Sequence, residues 1–135
     1  MKRIGCLIAV VCLATVTVLA QDAAQVDAKH YKVVFEDAMV RVVRVHYGPH
    51  EKSPMHSHPN VAAVFLSDQQ SKFTLPDGKT QMMSAKAGDA KVMAAFSHAA
   101  ENMGDKPFDM ILLEFKAPAK PAAAAPAKAS TAPKK

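Results

Sequence analysis

The sequence has little cysteine, little glycine and few aromatic residues. Its 135 residues include two cysteines, five glycines and 6% aromatic residues. Both cysteines, Cys6 and Cys12, precede the part that looks able to fold, so neither disulfides nor thiol chemistry are expected there. We find no sign of a serine nucleophile, a glycine-rich phosphate loop or an aromatic surface for stacking bases. Stability must therefore come from packing, or from packing together with a bound metal.

The two ends of the chain differ from its middle. Lys2 and Arg3 precede an apolar run that closes with small residues at Ala20, as in a secretory signal peptide. We predict a signal peptide at 1–20, a linker at 21–29 and a disordered Ala/Pro/Lys-rich tail at 117–135. An exported protein, periplasmic or secreted and without a membrane span after cleavage, is expected; an uncleaved N-terminal anchor is the alternative.

The positive charge belongs to the ends as well. The chain has a formal net charge of +5, and Lys2, Arg3, Asp22 and the four lysines of the tail account for all of it. The stretch 27–116 is formally neutral, so the high isoelectric point does not indicate a nucleic-acid surface, and no nucleic-acid partner is expected. The basic tail is interpreted as a solvated spacer.

Residues 30–116 read as a series of short strands separated by turns. Asp77-Gly78 is a hairpin signal, because a tight turn needs residues that accept positive φ. The continuous apolar run 61–66 suits a strand buried on both faces. Many short strands without a helical stripe predict an all-β sandwich or barrel. The predicted strands are 31–35, 39–47, 61–66, 73–75 with 80–83 as a hairpin, 90–95 and 108–115.

The segment around His56-Ser57-His58 carries the most chemical information. Residues i and i+2 of a strand point to the same face, so His56 and His58 can converge on one metal ion. Pro54 and Pro59 bracket the pair and limit how far this backbone can continue in a ladder. A His-x-His pair alone is only moderately specific, because it is also compatible with a polar strand face.

A second segment forty residues later completes a resemblance to the cupin family. The first cupin motif combines a glycine with His-x-His, which Gly48, His56 and His58 match. The second cupin motif combines a glycine, a histidine and an asparagine, which Gly88, His98 and Asn102 match. The resemblance covers about 33–115. It implies an all-β fold, a small cupin-like antiparallel β-barrel of the jelly-roll type.

The sequence departs from the cupin motifs at several positions. Val61 and Ala62 stand where the family has a glutamate ligand, and Asp68 replaces the closing glycine of the first motif. Ala94 and Phe96 replace the proline and glycine of the second. The lost carboxylate would weaken binding of a divalent cation and leave a coordination position open. Phe96 is bulky enough to fill part of the cavity mouth.

The resemblance implies a divalent metal, Zn, Fe, Ni, Mn or Cu, held by His56, His58 and His98, and a small molecule bound in the barrel. Thiol dioxygenases of this family work with a three-histidine iron centre. Catalytic residues stay unassigned, since the sequence offers no evident general base. The alternatives are a metal-dependent oxygenase or isomerase, and a metal-free barrel that acts as a binding or interaction module of the cell envelope.

Other candidates have ordinary explanations. His30 and His50 are predicted at the surface, and His46 on the face away from the core. Glu51 and Glu101 lie near the motifs, and Glu101 could replace the lost ligand, although a polar strand end explains it equally. The methionines, which could bind Cu(I), are interpreted as pliable core fillers. A homodimer is expected through the edge of the strand at 39–47.

Overall fold

A computed structural model describes residues 21–117; the predicted signal peptide and the tail from residue 118 onward lie outside the described residues. Nine strands and one short helix make up this part, and the strands pair antiparallel into two sheets. The elements are α1 (Ala23–Val26), β1 (Tyr31–Glu36), β2 (Val40–Tyr47), β3 (His56–His58), β4 (Val61–Phe65), β5 (Gln69–Thr74), β6 (Thr80–Ala85), β7 (Ala90–Met93), β8 (Phe96–Asn102) and β9 (Phe108–Phe115).

The two sheets enclose one core. The larger sheet has the strand order β1-β2-β9-β4-β7, and the smaller has the order β3-β8-β5-β6. Apolar side chains alternate along β2 and β9, so every second residue points inward. The prediction of an all-β barrel is confirmed. The buried apolar residues include Val43, Val45, Tyr47, Ala63, Phe65, Phe108, Met110 and Leu112.

The predicted hairpin forms between β5 and β6. The amide of Leu75 donates to the carbonyl of Lys79 at 2.8 Å, and that of Gly78 donates to the carbonyl of Leu75 at 2.9 Å. Gly78 has a φ of +81°, a backbone conformation that costs glycine little because it has no Cβ. The Asp-Gly signal therefore located this turn correctly.

Strand β4 is less buried than its apolar sequence suggested. It lies between β9 and β7 in the sheet, and its residues alternate between fully and partly buried positions. Ala62 and Val64 face outward and are only partly buried by the described residues. The continuous apolar run is thus explained by one buried face and one half-exposed face, and the prediction of two buried faces was wrong.

Strand β2 has no free edge. It pairs with β1 along one side and with β9 along the other. The expectation that this strand provides a dimer edge is therefore wrong, because its backbone groups are already paired. The homodimer itself stays a prediction. Within residues 21–117, no helix is long and apolar enough to cross a membrane.

The segment 21–29, predicted as a linker, packs against the barrel. Asp22 caps α1 by accepting from the amide of Gln25 at 3.2 Å. Ala23 is buried in the core cluster, and the amide of Ser57 donates to the carbonyl of Gln21 at 2.8 Å. The linker prediction is corrected accordingly: its polar and alanine-rich sequence did not reveal these specific partners.

Candidate metal centre

Sheet register brings the three predicted histidines together. In the antiparallel pair of β3 and β8, His56 lies directly opposite His98, and His58 lies opposite Phe96. Directly opposed residues on neighbouring strands have adjacent side chains, and His56 and His58 share a face because they are two residues apart. All three side chains point into the barrel and are buried. Their ligand nitrogens lie within 4.8 Å of one another.

The ring nitrogens of two histidines are oriented by fixed hydrogen-bond partners. Nδ1 of His56 donates to the carbonyl of Pro54 at 2.8 Å, and Nδ1 of His58 donates to Oε1 of Glu114 at 2.9 Å. Because these oxygens only accept, the proton is on Nδ1 and the lone pair is on Nε2. Such outer partners typically hold metal-binding imidazoles in one tautomer and orientation.

Several ring nitrogens at the centre are buried and have no hydrogen-bond partner within residues 21–117. They are Nε2 of His56 and both nitrogens of His98. Burying polar atoms without hydrogen bonds is costly, so the nitrogens that carry a lone pair call for a ligand that accepts it. A divalent metal could take Nε2 of His56 and one nitrogen of His98, whereas the other nitrogen of His98 carries the ring proton and cannot bind a metal. The donor set therefore fits a metal ion.

The charged forms of two of these histidines are disfavoured. Burial lowers the pKa of His56 to about 4, and the electrostatic interaction with the nearby His58 adds to the effect. Burial, with His56 and His58 nearby, lowers the pKa of His98 to about 2. Both rings are therefore neutral at physiological pH. Neutral imidazole is the form that binds metals, so binding would not have to displace protons from them.

Aromatic rings surround the histidines. Tyr31 packs against His56 and His58, with ring centroids 4.7 and 5.5 Å apart. On the other side, Phe73 and Phe96 contact the ring of His98 edge-on, at centroid distances of 4.2 and 4.7 Å. The histidine rings are therefore surrounded mainly by aromatic side chains. This burial explains the low pKa values of His56 and His98, because it disfavours the charged form of each ring.

Comparison with known proteins supports the fold. No protein-family model matches the sequence, and no curated protein matches it. A cupin domain from Bordetella pertussis superimposes with a TM-score of 0.60 at 19% identity, over 64% of this chain and 92% of that one. An RmlC-like cupin family protein with a double-stranded β-helix fold from Methanocaldococcus jannaschii gives 0.52 at 13% identity, over 65% of this chain and 80% of that one.

A third similar structure is an uncharacterised conserved protein with a double-stranded β-helix domain from Klebsiella pneumoniae. It superimposes with a TM-score of 0.50 at 26% identity and covers 62% of this chain and 72% of that one. The chain has the cupin fold. Gly48 and Asn102, one residue from each of the two motifs, are in contact in this fold: Nδ2 of Asn102 donates to the carbonyl of Gly48 at 2.9 Å.

A carboxylate that the sequence motifs do not include contacts the cupin site. Glu114 on β9 lies opposite Val61, the position where cupins have their glutamate ligand. It is 2% exposed, and its oxygens contact His58 and Arg41, with Nε of Arg41 donating to Oε2 at 2.6 Å. Glu114 therefore supports His58 from outside the cluster of ligand nitrogens.

The contacts of Arg41 continue to the N-terminal segment. Its guanidinium binds both Asp22 and Glu114. Asp22, Arg41, Glu114 and His58 thus form a continuous chain of charge-assisted hydrogen bonds from α1 to the metal centre. We refer to these four residues as the acid–base chain of the site. Charge pairing of this kind is strong when it is partly buried.

The remaining sequence candidates lie away from the three histidines. Glu101 pairs with Lys52 and Lys72 at the surface, which fits the ordinary explanation of a polar strand residue. His46 and His50 are more than half exposed and pair with Asp109 and Asp105, as predicted for solvent-facing rings. None of these residues belongs to the candidate centre.

His30 contradicts the prediction of a surface position. It is 4% exposed and lies between two carboxylates, with Nδ1 at 2.6 Å from Oδ2 of Asp27 and Nε2 at 3.0 Å from Oε2 of Glu51. Its ring stacks on Tyr47 at a centroid distance of 4.1 Å. The prediction failed because these partners come from a loop twenty residues away and from the segment assumed to be a linker.

The methionines are more exposed than core fillers would be. Met110 is buried, and Met83 and Met93 pack against the core cluster. Four others have more than a third of their surface exposed, namely Met39, Met55, Met82 and Met103. The interpretation as core fillers thus holds for three of the seven methionines at 39–110 and is wrong for the other four.

Two buried tyrosines were also missed. The hydroxyls of Tyr31 and Tyr47 are 2.9 Å apart and hydrogen-bonded. Burial raises the pKa of Tyr47 to about 12 and raises that of Tyr31 well above its usual value. Both tyrosines therefore stay protonated and serve as neutral hydrogen-bonding groups beside the site. The alternation of Val43, Val45 and Tyr47 along β2 is the sequence signal that places Tyr47 inside.

Proposed function

We propose that this chain is an exported cupin-fold protein that binds a divalent metal ion through His56, His58 and His98. The observation that carries the proposal is the set of buried ring nitrogens without partners, Nε2 of His56 and both nitrogens of His98. A folded protein that never bound a ligand here would leave these atoms unsatisfied. A bound ion would supply Lewis acidity and an open coordination position for a small ligand.

The surrounding residues support metal binding in distinct ways. The carbonyl of Pro54 and the carboxylate of Glu114 hold His56 and His58 in the required tautomer. The negative charge of Glu114 would favour a cation near His58, although Arg41 offsets part of it. Three imidazoles with a carboxylate in the outer layer suit Zn, Fe, Ni, Mn or Cu, and the donors alone do not select one of them.

The test is the metal content of the purified protein that starts at Gln21. Elemental analysis after growth in metal-supplemented medium should give about one ion per chain. The variant His98→Gln should lose most of it, because one of three ligands is removed. His50→Gln is the matched control, since it replaces an exposed histidine that pairs only with Asp105. Circular dichroism would show that all proteins are folded.

The outcomes separate the alternative functions. Metal bound in the wild type and lost in His98→Gln supports the proposal and leaves a metal-dependent oxygenase or isomerase to be tested by oxygen uptake and substrate conversion. Equal, near-zero metal in both folded proteins after supplementation contradicts it and favours a metal-free envelope module. Export is tested separately, by N-terminal sequencing of the protein recovered from the periplasm or medium.

A further inference from the structure

The interior space beside the histidines is very small. A cavity of about 30 Å³ is lined by His58, His98 and the two phenylalanines that contact His98. A site of this size holds about two water molecules, whereas pockets for organic ligands usually measure about 300–1,000 Å³. The small-molecule site predicted for the barrel is thus far below the size of an ordinary substrate pocket.

Four side chains are shared between this cavity and a larger groove beside it. Phe73, Met83, Met93 and Phe96 line the cavity and also line an outer groove of about 550 Å³. The groove, which is bordered by Leu75, Gln81, Met82 and Ala94 as well, reaches the surface. Phe96 occupies a position where the cupin motif has glycine, so its ring takes up space that the usual motif leaves free.

Besides the ring nitrogens of His98, one further polar atom of the cavity lining has no hydrogen-bond partner within residues 21–117. Gln69 is 5% exposed, and its Nε2 donates to Oγ of Ser71 at 3.0 Å. Its Oε1 is buried and has no hydrogen-bond partner. Gln69 and Ser71 both line the cavity that also contains His58 and His98. A ligand with an O–H or N–H group would satisfy this oxygen.

We infer that the metal centre is built for a ligand of one to three heavy atoms, that Phe96 sets this size limit, and that Gln69 accepts a hydrogen bond from the ligand. The inference rests on the proposed function, since it describes what occupies the open position of the same centre. Water or hydroxide fits both the volume and the acceptor. Larger organic molecules do not fit a cavity of this volume as long as Phe96 is present.

Binding to the Co(II)-loaded protein tests the size limit. The visible spectrum of Co(II) changes when an exogenous ligand coordinates it. Azide and hydroxylamine should change the spectrum of the wild type, whereas imidazole should not at the same concentration. Phe96→Ala should bind imidazole at least about tenfold more tightly than the wild type. Phe96→Leu, which is less disruptive, should show a smaller change in the same direction.

Phe115→Ala is the matched control, because Phe115 is 44% exposed and lies at the end of β9 in the other sheet. It should leave the behaviour toward imidazole unchanged. Imidazole binding to the wild type with an affinity equal to that of Phe96→Ala would overturn the size limit. Failure of the wild type to take up Co(II) would instead contradict the proposed function.

In that second case, metal-free protein still tests the size limit. Amide signals of cavity-lining residues such as Ser71 and Ala100 should not shift in NMR spectra when imidazole is added to the wild type. They should shift in Phe96→Ala. Shifts of equal size in both proteins would overturn the inference without reference to any metal.

Gln69 is tested by ligands that differ in hydrogen bonding. Gln69→Leu has a similar volume but lacks the acceptor. In the Co(II) protein it should weaken binding of hydroxylamine, which can donate, several-fold more than binding of azide, which cannot at neutral pH. An equal effect on both ligands, or no effect on either, would contradict the assigned role of Gln69.

Discussion

Glu114 on β9 is paired with Val61 on the neighbouring strand β4, and its carboxylate accepts a hydrogen bond from Nδ1 of His58 at 2.9 Å. The cupin glutamate is therefore missing from β4 while a carboxylate is present on the neighbouring strand. The role of this carboxylate differs from that of a metal ligand, because it binds Nδ1 of His58 and not a metal ion on Nε2. A carboxylate thus remains near the three histidines, but the coordination position that the cupin glutamate would fill is left open.

Removing the charge of Glu114 should weaken metal binding. Glu114→Gln keeps the shape and a hydrogen-bond acceptor but makes His58 a weaker ligand, so we expect an affinity loss of about 10–100-fold. Competition with a chromophoric chelator measures it. Glu101→Gln is the control, since that residue pairs only with surface lysines. An affinity equal to the wild type would show that Glu114 does not support the centre.

Arg41 should contribute more to the free energy of unfolding than Arg44 on the same strand. Arg41→Leu leaves the buried carboxylate of Glu114 without its main counter-charge, so the free energy of unfolding should fall by about 3 kcal/mol. Arg44→Leu removes an exposed pair with Asp109 and should cost less than about 1 kcal/mol. Urea denaturation compares the two, and equal losses would contradict a dominant role of Arg41.

The metal-free protein should lose stability in mild acid. The pKa values of His56 and His98 in the fold, about 4 and about 2, lie below the unfolded value near 6.5. The unfolded chain therefore binds more protons below pH 6.5, and unfolding becomes easier as the pH falls from there toward 4. At pH 5 the loss should be roughly 2 kcal/mol for each histidine.

Urea denaturation with EDTA at pH 7.5 and pH 5.0 measures this effect. His98→Gln should show a smaller difference between the two pH values, because one of the groups is gone. His50→Gln should match the wild type, since its ring is 62% exposed. Stability of the wild type that stays constant over this range would contradict the neutral, buried state of the histidines.

Of the two asparagines, Asn102 should be the more sensitive to substitution by alanine. Its amide donates to the carbonyls of Gly48 and Lys106, and its oxygen accepts from the amide of Gly104. Asn102→Ala leaves three backbone groups without this partner and should lower the free energy of unfolding by about 2–3 kcal/mol. Asn60→Ala removes one exposed bond to Ala95 and should cost under about 1 kcal/mol. Thermal melts would decide, and similar values would contradict this role.

The spacing of residues predicted the local parts of the site well. His56 and His58 are two residues apart on β3, and that spacing alone places them on one face. Asp77-Gly78 predicted the position of the β5–β6 hairpin because a tight turn is determined by residues that are adjacent in the sequence. His98 could be added only through the family resemblance, because its position opposite His56 depends on pairing between distant strands.

Glu114 was missed although the sequence contains a signal for it. Along β9 the inward positions alternate as Phe108, Met110, Leu112 and Glu114, so the strand period places a carboxylate on the buried face. A buried carboxylate needs partners, and that requirement could have marked it as functional. His30 gives no comparable signal, because its partners Asp27 and Glu51 come from a segment and a loop whose folding the sequence did not reveal.

The first two described residues, Gln21 and Asp22, both have hydrogen-bond partners close to the three histidines. Cleavage of the predicted signal peptide after Ala20 would make Gln21 the first residue of the protein, and its carbonyl accepts from the amide of Ser57, between the two histidines of β3. Asp22, the next residue, begins the acid–base chain that ends at His58. Under the predicted cleavage, a cut two residues further along the chain would remove both of these contacts beside the three histidines.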